Sequence, residues 1–283
     1  MKKNLLFVFV VLLLFVPVFV EASSRADDIM MNTNLVDEQV LEENVQILSQ
    51  TTKYYKNVTV YDSTEYEAYS LNSTSDSTQN LRAISSETVE VTPEEYFSID
   101  PDTFQSVSIR TYATIETTYL LLTTSIGSSG QYFLYSSTLS WKIMPSVRSY
   151  DVIAIGHYDN VKPVDGTTYC TLSYNYPGGG KSKKSLYVNH FSTGDSCVVD
   201  LPTRSDVKNI HVDFNYKVQK VNSNATITSQ LALGDYRHAA QGVSIIEAVN
   251  HTVSDNIGIV FSGNQESKYQ MISPITCYWN NAW

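Results

Sequence analysis

Residues 132–156 constrain this chain more than any other stretch. Phe133, Tyr135, Leu139, Trp141 and Ile143 fall on one side of a period-two alternation. Tyr132, Ser136, Thr138, Ser140 and Lys142 fall on the other. That pattern belongs to a strand with one face on a core and one in water. Pro145 ends it, because proline cannot donate to a ladder. After a corner at 146–151, Val152-Ile153-Ala154-Ile155-Gly156 is apolar on both faces, which predicts a strand buried between layers.

The alternation recurs along the chain. Residues 114–126 and 131–143 flank Gly127-Ser128-Ser129-Gly130, a hairpin signal. Over residues 209–219, Ile210, Val212, Phe214, Tyr216 and Val218 point inward, and Asn209, His211, Asp213, Asn215, Lys217 and Gln219 point outward. Further strands are expected at 54–61, 167–176, 185–191, 196–201, 225–234, 242–250, 257–261 and 269–279. Strands at this spacing with no helix between them predict an all-β domain over residues 81–283. The expected form is an antiparallel two-sheet sandwich with Greek-key or jelly-roll connections. With 283 residues, 42% of them hydrophobic and 20 of them tyrosines, the chain has enough apolar area for such a core.

The front of the chain reads differently. Lys2 and Lys3 precede a nearly unbroken apolar run from Leu5 to Val20, and Val20-Glu21-Ala22 resembles a cleavage site. Residues 1–22 are therefore expected to be a signal peptide, with an uncleaved anchor as the rival. Residues 23–80 are expected to hold an acidic helix at 34–49 followed by a Ser/Thr-rich linker at 70–80, separable from the β domain. The chain then stays acidic over 88–103, where Pro93 and Pro101 suggest loop or edge.

Charge narrows the partners. Residues 23–100 carry 15 acidic and 4 basic side chains, whereas residues 101–283 carry 13 of each. An acidic front repels nucleic acid, which is bound through clustered Lys and Arg. Lys181, Lys183 and Lys184 beside a glycine run form the one basic cluster, expected to be a solvated loop. No membrane partner is expected once the signal is removed, which makes the mature protein secreted.

Candidate chemistry is sparse. His157, His190, His211, His238 and His251 show no metal-ligand spacing. The loop holding Asp159, Asn160, Asp165 and Gly166 lacks the alternating pattern of a calcium site. No cofactor, metal or catalytic residue is expected. Glu116 with Glu247, or Asp151 with Asp213, could form a carboxylate pair for glycoside cleavage if the fold brought them to the required separation. Cys170, Cys197 and Cys277 leave one thiol over after one bridge. Cys170–Cys197 is the expected pair, though Cys197–Cys277 or three free thiols fit the sequence as well.

The block Trp141-Lys142-Ile143-Met144-Pro145-Ser146-Val147-Arg148-Ser149-Tyr150-Asp151 resembles one found in uncharacterised exported proteins of Gram-positive bacteria. There a Trp-Lys-x-Met-Pro-x-x-Arg-Ser-Tyr-Asp stretch follows a Thr-rich hairpin. The resemblance spans about residues 106–160 and implies a family without an established activity. The residues themselves suggest a structural corner formed by Trp141, Arg148, Tyr150 and Asp151, in which a paired Arg and carboxylate pin the reversal.

The expected function is a non-catalytic exported module that binds a cell-wall, glycan or protein surface through exposed aromatics and loops. Tyr54, Tyr55, Tyr61, Tyr66 and Tyr69 are too many for one polar segment to bury. A hydrolase of an extracellular polymer is the alternative, and a serine or cysteine bonded to a histidine would favour it. A structural or self-assembling surface protein is the third reading.

Overall fold

The computed structural model describes residues 45–63, 82–129, 132–204, 206–281 and 283. The expected signal peptide and most of the expected helix and linker lie outside these residues.

The chain is nearly all β, in antiparallel sheets. The larger sheet has nine strands. Its path runs β2 (Ala83–Val91), β1 (Gln46–Tyr61), β4 (Thr114–Ser128), β5 (Phe133–Ile143), β12 (Lys208–Lys220), β8 (Tyr169–Asn175) and β9 (Lys181–Ser185). Two short strands, β3 (Val107–Ile109) and β7 (Val161–Pro163), pair with β4 and β12. The six-stranded sheet runs β10 (Val188–Phe191), β11 (Gly194–Asp200), β6 (Tyr150–Gly156), β13 (Gln230–Ala239) and β16 (Tyr269–Met271), with β17 (Ile275–Trp279) also on β13. A hairpin of β14 (His251–Ser254) and β15 (Gly258–Phe261), two short helices, α1 (Pro93–Ser98) and α2 (Ile245–Ala248), and a single 3-10 turn at Gln265–Lys268 complete the described fold.

One core cluster draws on both sheets. It joins Leu120, Leu122, Tyr135, Leu139, Trp141, Val212, Phe214 and Tyr216 to Ile153, Ile155, Cys197, Val199 and Tyr236. Three tyrosines on the nine-stranded sheet also reach across it by hydrogen bond. Tyr55 donates to the Ser273 carbonyl at 2.9 Å, Tyr135 to the Gln230 side chain at 3.1 Å and Tyr216 to the Ile155 carbonyl at 3.0 Å. A buried phenol needs such a partner, and its ring supplies a large apolar area to the same interface. The other face of the smaller sheet packs Val152, Ala154 and Ala239 against Val253 and Ile259 of the hairpin and Ala248 of α2. All ten positions of β13 are therefore buried.

The alternating segments fold as read. β5 buries every second residue, β12 does so except that Asn215 is buried as well, and β6 is buried on both faces after Tyr150. Three expectations need correction. The last residues of the expected helix, Gln46–Ser49, are strand, because β1 pairs with β4 from Gln46↔Ser128 to Tyr61↔Thr114. A ladder of that length overrides a local helical stripe. The boundary near residue 80 fails for the same reason, since β1 lies between β2 and β4 inside the nine-stranded sheet. The segment 242–250 is not a strand but a helical turn, opened by a capping box in which Ser244 and Glu247 bond each other's backbone N–H.

The outer face of the nine-stranded sheet as a candidate functional site

Trp141 is buried, with its ring edge-on to Tyr236 and His238 at 6.1 and 5.1 Å. Arg148 donates from Nε to the Pro145 carbonyl at 3.1 Å and from a terminal nitrogen to the carbonyls of Pro202, at 3.1 Å, and Arg204. Asp151 accepts from the Tyr236 hydroxyl, from His238 Nδ1 at 3.0 Å and from the Ala239 N–H at 2.8 Å. Arg148 and Asp151 thus each hold the corner through the partners named above. Tyr150 contributes its carbonyl, which accepts from the Tyr269 hydroxyl at 3.2 Å.

The candidate carboxylate pairs are not brought together. Glu116 and Asp151 are buried, Asp213 lies on the outer face of the larger sheet, and Glu247, on α2, is bonded to Lys268. Burial pushes the Glu116 carboxyl up, although it accepts the Ser146 N–H at 2.7 Å. No group of three His, Cys, Asp or Glu side chains that could hold a metal occurs among the described residues. Of the expected exposed tyrosines, Tyr55 and Tyr61 are core and Tyr54 is half-buried on the outer face. Tyr66 and Tyr69 lie outside the described residues. Lys181, Lys183 and Lys184 sit on edge strand β9, with Lys184 bonded to Asp200 at 3.1 Å.

Strand register assembles a surface that inspection of single segments missed. On the outer face, Thr52, Thr123, Thr138, Asp213, Thr171 and Ser185 are consecutive cross-strand partners through β1, β4, β5, β12, β8 and β9. The neighbouring row is Gln50, Ser125, Ser136, Asn215 and Tyr169. On the other side runs Tyr54, Leu121, Ser140, His211, Ser173 and Lys183. Partners in a row are spaced by about 4.8 Å and rows by about 6.6 Å, the strand spacing and the two-residue repeat. Three rows of mostly polar side chains therefore line this face, with Thr171, Ser125 and Asn215 among them buried. Thr52 and Thr123 bond each other at 3.0 Å.

An aromatic shelf stands at one end of these rows. The rings of Tyr96 and Phe97 on α1 lie 4.9 and 5.5 Å from Tyr54, and Lys142 Nζ stands over both, at 4.9 and 5.5 Å. Thr92 caps α1 and Pro93 starts it, which is why an acidic segment read as loop becomes a helix carrying rings. Phe97 remains 64% exposed.

At the centre, Ser140 Oγ meets His211 Nδ1 at 2.6 Å, and His211 Nε2 meets Asp213 at 2.9 Å. The Asp213 carboxylate raises the His211 pKa against the opposing effect of burial. A second contact, Ser196 Oγ to His251 Nε2 at 2.6 Å, is buried, and the Ala248 carbonyl holds the other ring nitrogen at 2.7 Å. Both resemble the parts of a serine hydrolase. β5, β12 and β11 are each flanked by two paired strands, which commits most of their backbone N–H groups to ladders rather than to an oxyanion. Ser196 is also fully buried. In chemical terms the exposed trio is a hydrogen-bonding station whose charge depends on pH.

No family model and no curated sequence matches the chain. Solved structures give loose overlaps. The collagen-binding domain of a Staphylococcus aureus adhesin is 8% identical, with 54% of this chain and 99% of that one covered and a TM-score of 0.26. The collagen-binding domain of Erysipelothrix rhusiopathiae surface protein RspB is 6% identical, with 62% and 73% covered and a TM-score of 0.25. The T6 backbone pilin of serotype M6 Streptococcus pyogenes is 9% identical, with 82% and 64% covered and a TM-score of 0.31.

Proposed function

We propose that this protein is an exported, non-catalytic module that binds an extended extracellular glycan across the outer face of its nine-stranded sheet. The carrying observation is the register that sets Thr52, Thr123, Thr138, Asp213 and Thr171 side by side. A glycan presents hydroxyls along a flat ribbon, and such a face offers donors and acceptors at a repeating interval. The shelf of Tyr54, Tyr96 and Phe97 supplies rings on which the apolar face of a sugar stacks. Export rests on Lys2, Lys3 and the apolar run that follows them.

The test is calorimetric titration and pull-down with purified cell wall and with soluble glucan, mannan and N-acetylhexosamine oligosaccharides. Saturable binding to one of them is expected, weakened at least tenfold in a Thr123→Leu, Thr138→Leu variant that keeps the fold. Retention on none of these polymers, or equal affinity in that variant, overturns the reading. The Ser140–His211–Asp213 contact is the observation that favours a hydrolase instead. Release of reducing ends from the bound polymer, abolished in Ser140→Ala, would establish that reading.

A further inference from the structure

Cys170 and Cys197 come from different sheets, β8 and β11, and both are completely enclosed in the shared core. Their immediate surroundings are already stitched together. Thr168 Oγ1, two residues before Cys170, donates to Asp195, two residues before Cys197, at 3.1 Å. Side chains two apart on a strand share a face, so the next inward pair along is Cys170 opposite Cys197. A second tie agrees. Cys170 is the register partner of Phe214 and Cys197 that of Ile153, and two residues further on Tyr216 bonds the Ile155 carbonyl at 3.0 Å. After burial, the Cys197 thiol is the strongest influence raising the Cys170 pKa, whereas Cys277 donates to Ser49 at 3.1 Å on another part of the core.

We propose that Cys170 and Cys197 form a disulfide joining the two sheets in the exported protein. Both sulfurs are thiols in the structure. Oxidation removes two protons and two electrons from the pair, and a thiol–disulfide oxidoreductase or a glutathione-type disulfide accepts them. One thiolate attacks the oxidant's disulfide and displaces a thiol. The second thiolate then displaces the remaining thiol from the mixed disulfide, so the oxidant leaves as two thiols. Burial raises the Cys170 pKa, and the finished core keeps reagents out. The exchange therefore belongs to folding, before the sheets close. The staple forms once, and a reductant cannot reach it while the core is intact.

The full chain, refolded from denaturant in a glutathione redox buffer and separately in excess reductant, tests this. After alkylation in denaturant, the oxidised sample is expected to be about 2 Da lighter than the reduced chain before label is counted. Its peptide map should join the Cys170 and Cys197 peptides and leave Cys277 labelled. Its melting temperature should be about 5–10 °C above that of the reduced sample. A Cys277→Ala variant should keep the bridge and the shift. A Cys170→Ala, Cys197→Val variant should lose both, even if its absolute stability is low. Three labelled cysteines after oxidative refolding, or Cys277 in the bridge, overturns the proposal.

Discussion

Asp151, at the start of β6, and His238, on β13, are joined by a hydrogen bond of 3.0 Å in a fully buried setting. The same carboxylate accepts from the Tyr236 hydroxyl and from the Ala239 N–H. A buried charge is tolerable only when its lone pairs are filled, and here three donors fill them. Replacing Asp151 by Ala leaves all three without an acceptor. The expected cost is about 3–5 kcal/mol, read from the urea midpoint at pH 7. A loss below 1 kcal/mol would show that water replaces the carboxylate.

Deleting the chain up to residue 80 is expected to abolish cooperative unfolding of what remains. The truncation removes β1, which pairs with β2 on one side and β4 on the other, and takes the Tyr55 ring out of the core. Circular dichroism melts of residues 81–283 check this. A sharp transition in the fragment would mean that β4 can serve as an edge.

Gly234 faces the larger sheet where a Cβ would stand 1.8 Å from Thr124 Oγ1 and 2.9 Å from Ser137 Oγ. Thr124 is buried and β-branched, so it cannot swing aside. Gly234→Ala should therefore destabilise by about 1–3 kcal/mol, and Ser137→Gly in addition should recover little because the closer clash is with Thr124. Thermal melts of the single and double variants separate the two neighbours.

Stability should fall as the medium turns acidic, through His251 and His157. Burial lowers both imidazoles below the ordinary value of 6.5. Above 6.5 the folded and unfolded chains are both neutral there, and the contribution is complete. As pH falls below 6.5 the unfolded chain takes up protons that the fold refuses, and stability is lost by up to about 1.4 kcal/mol per histidine at pH 5.5. His211 and His190 work the other way. Their aspartate partners raise them, so their contribution is present below 6.5 and fades as pH rises through the folded values. In His251→Asn, the difference in urea midpoint between pH 7.5 and 5.5 should shrink relative to the parent. An unchanged difference would exclude His251 as a source of it.

Much of the fold is legible in the residues because a strand with one wet face writes its orientation into the sequence. The alternation in β5 and β12 tells which side chains reach the core, and the uninterrupted apolar run of β6 tells that it is covered twice. Such signals are local, since they depend only on the period of the pleat. Partner choice is not local. Gln46–Ser49 carry a helical stripe yet lie in a strand, because pairing with β4 decides their backbone. The row of Thr52, Thr123, Thr138, Asp213 and Thr171 is likewise absent from every single segment. Each member is an ordinary outward position until register sets five strands in line. The same holds for Cys170 and Cys197. Their inward placement follows from the alternation, but their meeting depends on how the two sheets stack. The sequence by itself determined the class of fold and the inward and outward sides of its strands, for these follow from the geometry of one backbone. Only the tertiary structure decided which strands became neighbours, because that rests on packing between residues far apart in the chain.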